Sequence, residues 1–163
     1  MENDTYYMGL ALEEAKKAGQ KGEVPIGCVI VAETGKVISV AHNLTISLAD
    51  PTGHAEILAI RKAAKIYGNY RLPGLILYAT IEPCIMCMGA IVHARLSRVV
   101  FGARDEKWGG AGSLYNLAVD SRLNHALDVV PGVCADECRR LIQDFFKSRR
   151  QEQKAVKKAG LSQ

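Results

Sequence analysis

Four residues in two short segments could bind a metal ion and move protons. His54 and Glu56 are separated by one residue, and Cys84 and Cys87 follow Pro83 about thirty residues further along the chain. One imidazole and two thiolates can hold Zn²⁺ while its fourth coordination position stays open to water. A carboxylate beside such a site can accept and return protons. The sequence therefore predicts a catalytic zinc centre with His54, Cys84 and Cys87 as ligands and Glu56 as the proton shuttle.

The spacing of the two cysteines favours a shared metal ion. Cys84 and Cys87 are three residues apart at the predicted start of a helix, so both side chains lie on one helical face. Pro83 suits the first turn of that helix, and the positive end of the helix dipole favours thiolate over thiol. His54 also stands at the predicted start of a helix. The ends of two helices could therefore bring the ligands together.

A structural zinc site with four protein ligands is the main alternative for a Cys-x-x-Cys pair. Six other residues could supply a fourth ligand: Cys28, His42, His93, His125, Cys134 and Cys138. We expect the three cysteines among them to be small buried side chains, and His93 and His125 to lie at the surface or beside the site. The combination of H-x-E with a downstream P-C-x-x-C is the signature of zinc nucleobase deaminases, and it favours the catalytic interpretation.

Two neighbouring features have more than one interpretation. Glu82 directly precedes the Pro83-Cys84 pair. It could form hydrogen bonds around the metal site or simply be solvated. The glycine-rich segment 109–113 lacks the Gly-Lys-Ser/Thr ending of a phosphate-binding loop, which argues against a nucleoside triphosphate site. That segment is therefore either a flexible loop or a loop that contacts the substrate.

The periodicity of the apolar residues predicts a layered α/β fold around these segments. A first helix ends near Gly19 and Gly22, and further helices are predicted at 54–67, 84–94 and 135–158. Strands are predicted at 25–31, 36–41, 75–80, 97–102 and 126–130. This order predicts a mixed sheet of about five strands that is flanked by helices.

Length and composition indicate one soluble domain over residues 1–163. The chain has 163 residues, of which 48% are apolar and 23% charged. It has no apolar run near the roughly 20 residues that a membrane span needs, and its acidic N-terminus is unlike a transit peptide. We therefore predict a cytoplasmic protein. The net charge of +4 comes from a basic C-terminal tail, about 147–163, which could attract RNA or serve only as a solubilising helix end.

Further motifs identify the chain as similar to the bacterial-type tRNA-specific adenosine deaminases of the cytidine deaminase superfamily. The resemblance runs from about residue 5 to residue 158. It is carried by the segments 24–27, 42–43, 50–52, 54–56, 69–72, 80–87, 98–105, 112–114, 123–125 and 145–150. The zinc motifs mark only the superfamily. The Phe-Gly-Ala-Arg-Asp segment at 101–105 and the Phe-Phe-x-x-Arg-Arg segment at 145–150 resemble the tRNA enzymes in particular.

This resemblance implies a three-layer cytidine-deaminase-like fold and the conversion of adenosine to inosine at the wobble position of a tRNA anticodon. It implies one Zn²⁺ per subunit, held by His54, Cys84 and Cys87, with Glu56 as the proton shuttle. Asn43 is expected to hydrogen-bond the flipped base, and Asp105 to lie near the ribose and the flanking nucleotides. The resemblance also places two residues of the C-terminal helix, Phe146 and Arg149, among the contacts to the anticodon loop.

The resemblance further implies a homodimer. The apolar helix predicted at 84–94 leaves room for a partner, because Met86, Met88, Ile91 and Val92 supply apolar surface. Two other functions are possible for the same motifs. A small-molecule deaminase of the guanine or cytidine type would use the same zinc chemistry without the basic tail. A non-catalytic RNA-binding zinc module would keep the metal but would not need Glu56.

Overall fold

A computed structural model describes residues 3–160 of the chain. The helices are α1 (Asp4–Gln20), α2 (Ala55–Tyr67), α3 (Ile85–His93) and α4 (Ala135–Gly160). The strands are β1 (Gly27–Ala32), β2 (Val37–His42), β3 (Leu75–Ile81), β4 (Arg98–Ala103) and β5 (Asp128–Pro131). Every predicted element is present, and its ends differ from the predicted ones by no more than two residues.

The five strands form one mixed sheet in the order β2-β1-β3-β4-β5. β1 pairs antiparallel with β2 and with β3, whereas the pairs β3–β4 and β4–β5 are parallel. The connection from β3 to β4 passes through α3, as a parallel crossover requires. The carboxyl ends of β3 and β4 therefore lie at the same edge of the sheet, where α3 begins.

Side chains alternate across the sheet and form two separate cores. In β1, Cys28 and Ile30 belong to the core that contains residues of α2 and α3. Val29 and Val31 belong to the core that contains residues of α1 and α4. Alternation of this kind places neighbouring residues of a strand on opposite faces. The predicted three-layer α/β fold is therefore confirmed.

Two glycines let helices of the second core approach the sheet closely. A Cβ atom at Gly27 would lie 1.9 Å from the carbonyl oxygen of Ala11 in α1. A Cβ atom at Gly102 would lie 2.3 Å from the Sγ of Cys138 in α4. Both distances are far below a normal non-bonded contact. Any side chain at these two positions would therefore push a helix away from the sheet.

The partner surface predicted on α3 is wrong for three of its four residues, whereas Met86 is partly buried. Met88, Ile91 and Val92 of α3 are buried against the sheet and α2 of the same chain. They belong to the chain's own core because α3, which connects β3 to β4, packs on the face of the sheet, and they supply no apolar surface for a second subunit. The resemblance alone now carries the expectation of a dimer.

The C-terminal part of α4 leaves the body of the protein. Residues 150–160 are all exposed. The last three residues of the predicted basic tail, 161–163, lie outside the described residues. None of the helices in residues 3–160 combines the length and the apolar character that a membrane span requires.

Candidate active site

The three predicted metal ligands lie at the first turns of α2 and α3. His54 is the residue that precedes α2, and Cys84 is the residue that precedes α3. Cys87 lies in the first turn of α3, where the Met88 amide donates a hydrogen bond to the Cys84 carbonyl oxygen. Both helices pack on the same face of the sheet, so their N-terminal ends bring the imidazole and the two sulfurs together.

The distances between the ligand atoms fit a tetrahedral metal site. The Nδ1 of His54 lies 3.7 Å from the Sγ of Cys84 and 3.5 Å from the Sγ of Cys87. Bond lengths of about 2.3 Å for Zn–S and about 2.0 Å for Zn–N separate N and S ligands by about 3.5 Å in a tetrahedron. The ligand atoms all lie within 4.8 Å of one another. The side chains are therefore arranged to hold one ion of this size.

One of the three side chains, Cys84, is favoured in its metal-binding form even without a metal ion. A hydrogen bond from the Cys87 thiol, together with the His54 imidazole, outweighs burial and lowers the pKa of Cys84 to about 4. The contact with Cys84 raises the pKa of the His54 imidazole. The hydrogen bond to Cys84 and burial both raise the pKa of the Cys87 thiol. Cys84 is therefore favoured as a thiolate, which is the form that binds zinc.

Glu56 is a buried carboxylate beside this cluster. It belongs to the first turn of α2, is only 2% exposed, and makes a side-chain contact with Cys87. Burial raises the pKa of Glu56 to about 6. Its Oε2 is buried and has no hydrogen-bond partner among the described residues. A buried polar atom without a partner costs stability, and such atoms are typical of functional sites.

None of the alternative ligands completes a four-residue site within residues 3–160, where the group of side chains that could hold a metal ion consists of His54, Cys84 and Cys87. The other candidates have different surroundings. Cys28 is fully buried and lies near Glu56. Burial, and to a smaller extent the negative charge of Glu56, raise the pKa of its thiol. The Nδ1 of His42 lies 2.8 Å from Glu14, and the Nε2 of His125 lies 2.7 Å from the Leu96 carbonyl oxygen.

The remaining cysteines and His93 lie elsewhere. His93 is exposed at the end of α3. Cys138 is buried against the sheet, as predicted for a small side chain. Cys134 lies directly before α4 with a positive φ of 53° and packs against the same core, so it stands at the helix start as predicted but is only partly buried. It ends the preceding loop, because a left-handed residue cannot continue a helix.

The structure places Asn43 next to the predicted ligands. Asn43 directly follows β2 and is 4% exposed. Its Oδ1 accepts a hydrogen bond from the Ala55 amide, between His54 and Glu56. Within the described part of the chain its Nδ2 group makes no hydrogen bond, so it can donate to a bound molecule. The orientation of the Asn43 side-chain amide is fixed because the Ala55 N–H requires an acceptor, and only Oδ1 can supply one.

Asp105 and the glycine-rich segment form one loop above Cys84. The Oδ1 of Asp105 accepts hydrogen bonds from the amides of Lys107 and Trp108. Gly109 forms an isolated β-bridge with Cys84, and the Gly110 amide donates to the Pro83 carbonyl oxygen. The loop is therefore attached to the segment that carries Cys84 and Cys87.

The two residues predicted on α4 have different environments. Phe146 is 43% exposed and lines a cavity of about 380 Å³ together with Lys107 and Arg150. Arg149 donates a hydrogen bond to the Gly22 carbonyl oxygen and lies over the Phe145 ring. Arg149 therefore attaches α4 to the end of α1, in addition to any role in binding RNA.

Sequence reasoning missed Glu23. It is fully buried, and its carboxylate accepts hydrogen bonds from Thr45, Ile46 and Ser47. These bonds outweigh burial and lower the pKa of Glu23. Glu23 thereby holds the loop that follows Asn43. The only signal in the sequence is one acidic residue next to the apolar stretch of β1, which is too weak to predict this contact.

Comparison with known proteins gives the family. The family model of the cytidine and deoxycytidylate deaminase zinc-binding region matches residues 1–103. A tRNA-specific adenosine deaminase of Bacillus subtilis is 48% identical over 158 residues, which are 97% of this chain and 98% of that protein. One of Haemophilus influenzae is 47% identical over 156 residues, or 96% of this chain and 90% of that protein.

The chain belongs to the tRNA-specific adenosine deaminase family.

Solved structures agree with this family. One, from a study of A-to-I editing by tRNA:A34 deaminases at the wobble position of transfer RNA, has a TM-score of 0.81 and 44% identity. It covers 84% of this chain, which in turn covers 99% of that one. A guanine deaminase of Nitrosomonas europaea has a TM-score of 0.76 but only 22% identity over 86% of this chain and 83% of that one. It shares the fold alone.

Proposed function

We propose that this chain hydrolyses adenosine to inosine at the wobble position of a tRNA anticodon, with Zn²⁺ as its cofactor. The observation that carries the proposal is the similarity to tRNA-specific adenosine deaminases over 96–97% of the chain. The site geometry supports the same chemistry. A group of three possible ligands lies beside a buried carboxylate that has an unpartnered oxygen atom.

His54, Cys84 and Cys87 would hold the zinc ion. Their distances and the favoured thiolate of Cys84 fit this role. When bound, zinc acts as a Lewis acid that lowers the pKa of water towards neutrality. The three residues would leave one coordination position free for that water, because no fourth side chain of residues 3–160 belongs to the group.

Glu56 would move every proton in the reaction. Its carboxylate takes one proton from the attacking water and delivers it to N1 of adenine, while the water oxygen bonds to C6. The carboxylate then takes the second proton from that oxygen and passes it to the exocyclic amine. The C6–N bond breaks, and the products are inosine and ammonia. One carboxylate can perform both transfers only if it is free of other strong partners, which fits the buried Oε2 of Glu56.

Asn43 and Asp105 would position the nucleotide. Asn43 points its carbonyl oxygen at the Ala55 amide, so its Nδ2 group is left to donate to an acceptor atom of the purine. Asp105 uses Oδ1 to organise its own loop, which leaves Oδ2 for the ribose or a flanking nucleotide. Both residues lie next to a ligand segment, so a base that is flipped into the site would lie between them.

The RNA would follow the basic side of α4. The cavity beside Phe146 connects the active-site loop with α4 and is flanked by Lys107 and Arg150. Two cations and an exposed ring can bind a phosphate and a stacked base. Six basic residues against one acidic residue occupy positions 147–158 and would add contacts to phosphates. A loop nucleotide is the natural target, because a base inside a duplex cannot reach the metal.

We also propose that the protein is a cytoplasmic homodimer. The resemblance to the family is the basis for both statements. Sedimentation of the zinc-loaded protein tests the dimer directly, and a single species of monomer mass at micromolar concentration contradicts it.

Similarity to a guanine deaminase of Bacillus subtilis supports a second candidate function, the deamination of a free base. Its solved structure is 40% identical, but the match covers only 61% of this chain and 63% of that one, with a TM-score of 0.58. The tRNA-specific relatives match almost the whole chain, including α4. The longer match favours an RNA substrate over a free base.

One experiment separates these functions. Zinc-loaded protein is incubated with an anticodon stem-loop that carries adenosine at the wobble position, and the product is sequenced. The expected result is that this adenosine is read as guanosine, while a stem-loop with adenosine at another loop position is unchanged. Guanine, cytidine and free adenosine are assayed in parallel for ammonia. Release of ammonia from a free base, with no change in the RNA, contradicts the proposed function.

A further inference from the structure

Glu82 occupies a central place between the sheet and the metal site. It follows the last residue of β3 and stands two residues before Cys84. Its side chain is 1% exposed. Nothing in the chemistry proposed above uses this carboxylate. None of the ion pairs found within residues 3–160 involves it, so a buried acidic group is stabilised without a cationic partner.

Hydrogen bonds from one loop satisfy this carboxylate. Its Oε1 lies 3.1 Å from the Ala111 amide and 2.9 Å from the Ser113 amide. Its Oε2 lies 3.1 Å from the Asp105 amide and also accepts a hydrogen bond from the Ser113 hydroxyl. Four donors match the number of acceptor positions on a carboxylate. Three of the donors are backbone amides of a segment that has no regular secondary structure to satisfy them.

The same loop contacts the metal site. Gly109 pairs with Cys84, and the Gly110 amide donates to the Pro83 carbonyl oxygen over 2.8 Å. A Cβ atom at Gly109 would lie 2.5 Å from the Cδ of Glu82 and 2.5 Å from the Asp105 carbonyl oxygen. The loop is therefore pressed against Glu82, and only a glycine fits there.

We propose that Glu82 is a positioning residue that fixes residues 105–113 as a wall of the active site and sets the location of Asp105. This inference rests on the proposed function, because the wall is needed to hold a nucleotide. Without the carboxylate, the buried amide of Ala111 and the partly buried amides of Asp105 and Ser113 would lose their hydrogen-bond acceptor. The loop would then move outward to reach water, and Asp105 would move with it.

Replacement by glutamine makes a specific structural prediction. Glu82→Gln keeps one oxygen, which can still accept from the Ala111 and Ser113 amides. The new NH₂ group then faces the Ser113 hydroxyl, which can rotate and accept, and the Asp105 amide, which cannot. The variant should therefore lose the Asp105 contact alone. Glu82→Ala should lose every contact and loosen the entire loop.

The chain contains one tryptophan, Trp108, and it lies in this loop. Its indole is 66% exposed. Its fluorescence therefore reports the mobility of the loop without any substrate. In the zinc-loaded protein we expect lower anisotropy and faster acrylamide quenching for Glu82→Gln than for the wild type, and a larger change for Glu82→Ala. If Glu82→Ala does not fold, Ser113→Ala, which removes one donor, should give a small change in the same direction.

A matched control separates this role from general stability. Asp4 is another buried carboxylate, 5% exposed, which is bonded to Tyr78 and Arg98 in the core on the other face of the sheet. Asp4→Asn should lower the melting temperature without changing the fluorescence of Trp108. An equal change in both variants would show a global effect and overturn the proposal, as would unchanged fluorescence in the Glu82 variants.

Activity on the anticodon stem-loop provides the second measurement. A displacement of about 1 Å in a positioning group can cost on the order of 100-fold in rate. We expect kcat/KM for Glu82→Gln to fall by about 10- to 100-fold with one zinc per chain retained. Loss of zinc, or a mobile loop with wild-type kcat/KM, would contradict positioning through the loop. If the wild type forms no inosine, the proposed function fails, while the fluorescence result still decides whether Glu82 holds the loop.

Discussion

Glu56→Gln is the sharpest test of the proposed chemistry. The substitution keeps the size of the side chain and removes its ability to accept a proton. Glu56 is 2% exposed, and its Oε2 has no hydrogen-bond partner among the described residues, so the change breaks few structural contacts. We therefore expect the variant to fold and to bind one zinc ion. If the substitution lowers the free energy of unfolding by 1 kcal/mol, the melting temperature falls by only about 2–4 °C in a protein of this size.

The expected loss of activity follows from the number of proton transfers. The proposed mechanism uses the same carboxylate twice, and a single general acid–base step typically contributes about 10²- to 10⁴-fold. Loss of both should therefore cost about 10⁴-fold or more, which is at least about 5.5 kcal/mol in the activation barrier. His54, Cys84 and Cys87 cannot take over the proton transfers of Glu56, because all three side chains would be bound to the metal.

Single-turnover formation of inosine, with zinc measured in the same sample, checks this prediction. Asp50→Asn is the matched control, because Asp50 is another carboxylate whose charge acts on His54. The Oδ1 of Asp50 is already bonded to the amide and hydroxyl of Thr52, so it should not move protons. A rate for Glu56→Gln within tenfold of the wild type, with zinc bound, would show that the proton shuttle is assigned wrongly.

Three further predictions test the metal, the RNA and the fold. Cys87→Ala should lose zinc because the two remaining ligands, His54 and Cys84, hold it only weakly, whereas Cys138→Ala should keep it. Metal analysis of both variants tests this prediction. Replacement of Lys154, Lys157 and Lys158 together by glutamine should weaken binding of a stem-loop. It should also reduce the slope of log K against log salt concentration by about 2. Burial raises the pKa of Asp4, but hydrogen bonds from Tyr78 and Arg98 outweigh it, and the pKa is lowered. Asp4 should therefore stabilise the fold above about pH 4 and lose this effect as the pH falls through its folded pKa.

These measurements have clear opposing outcomes. Wild-type zinc content in Cys87→Ala contradicts its role as a ligand. An unchanged salt slope in the lysine variant shows that the end of α4 does not contact phosphates. The contribution of Asp4 is measured by urea unfolding of the wild type and Asp4→Asn between pH 7 and pH 3. The difference between the two proteins should shrink on acidification, and a difference that is independent of pH argues against the ion pair with Arg98.

Much of the fold could be predicted because local patterns and tertiary packing agree. The apolar run of β1 and the periodicity of α2 gave ends within two residues of the observed ones. The site could be found for a similar reason. Cys84 and Cys87 lie three residues apart on one turn, so their proximity depends on helix geometry alone. Their meeting with His54 then requires only that α2 and α3 pack on the same face of the sheet.

Other features could not be predicted, because they depend on contacts between distant segments. The apolar pattern of α3 shows which residues are buried but not what they pack against, so the sequence left room for a partner where Met88 and Ile91 fill the chain's own core. Cys134 precedes the helix as predicted, but nothing in the sequence indicates its left-handed backbone or its partial exposure. Glu23 binds residues more than twenty positions away, and no local pattern records such a contact.

The sequence by itself determined the chemical groups, their order and the helices that carry them, because these depend on residue type and on neighbours within a few positions. Only the tertiary structure decided how the surrounding loops are held. The residues next to Glu82 in the sequence do not show whether its side chain is solvated or buried. Its role depends on whether the loop beyond Asp105 folds back over it and leaves three amides that need an acceptor. That choice is made by burial, which sequence spacing does not encode.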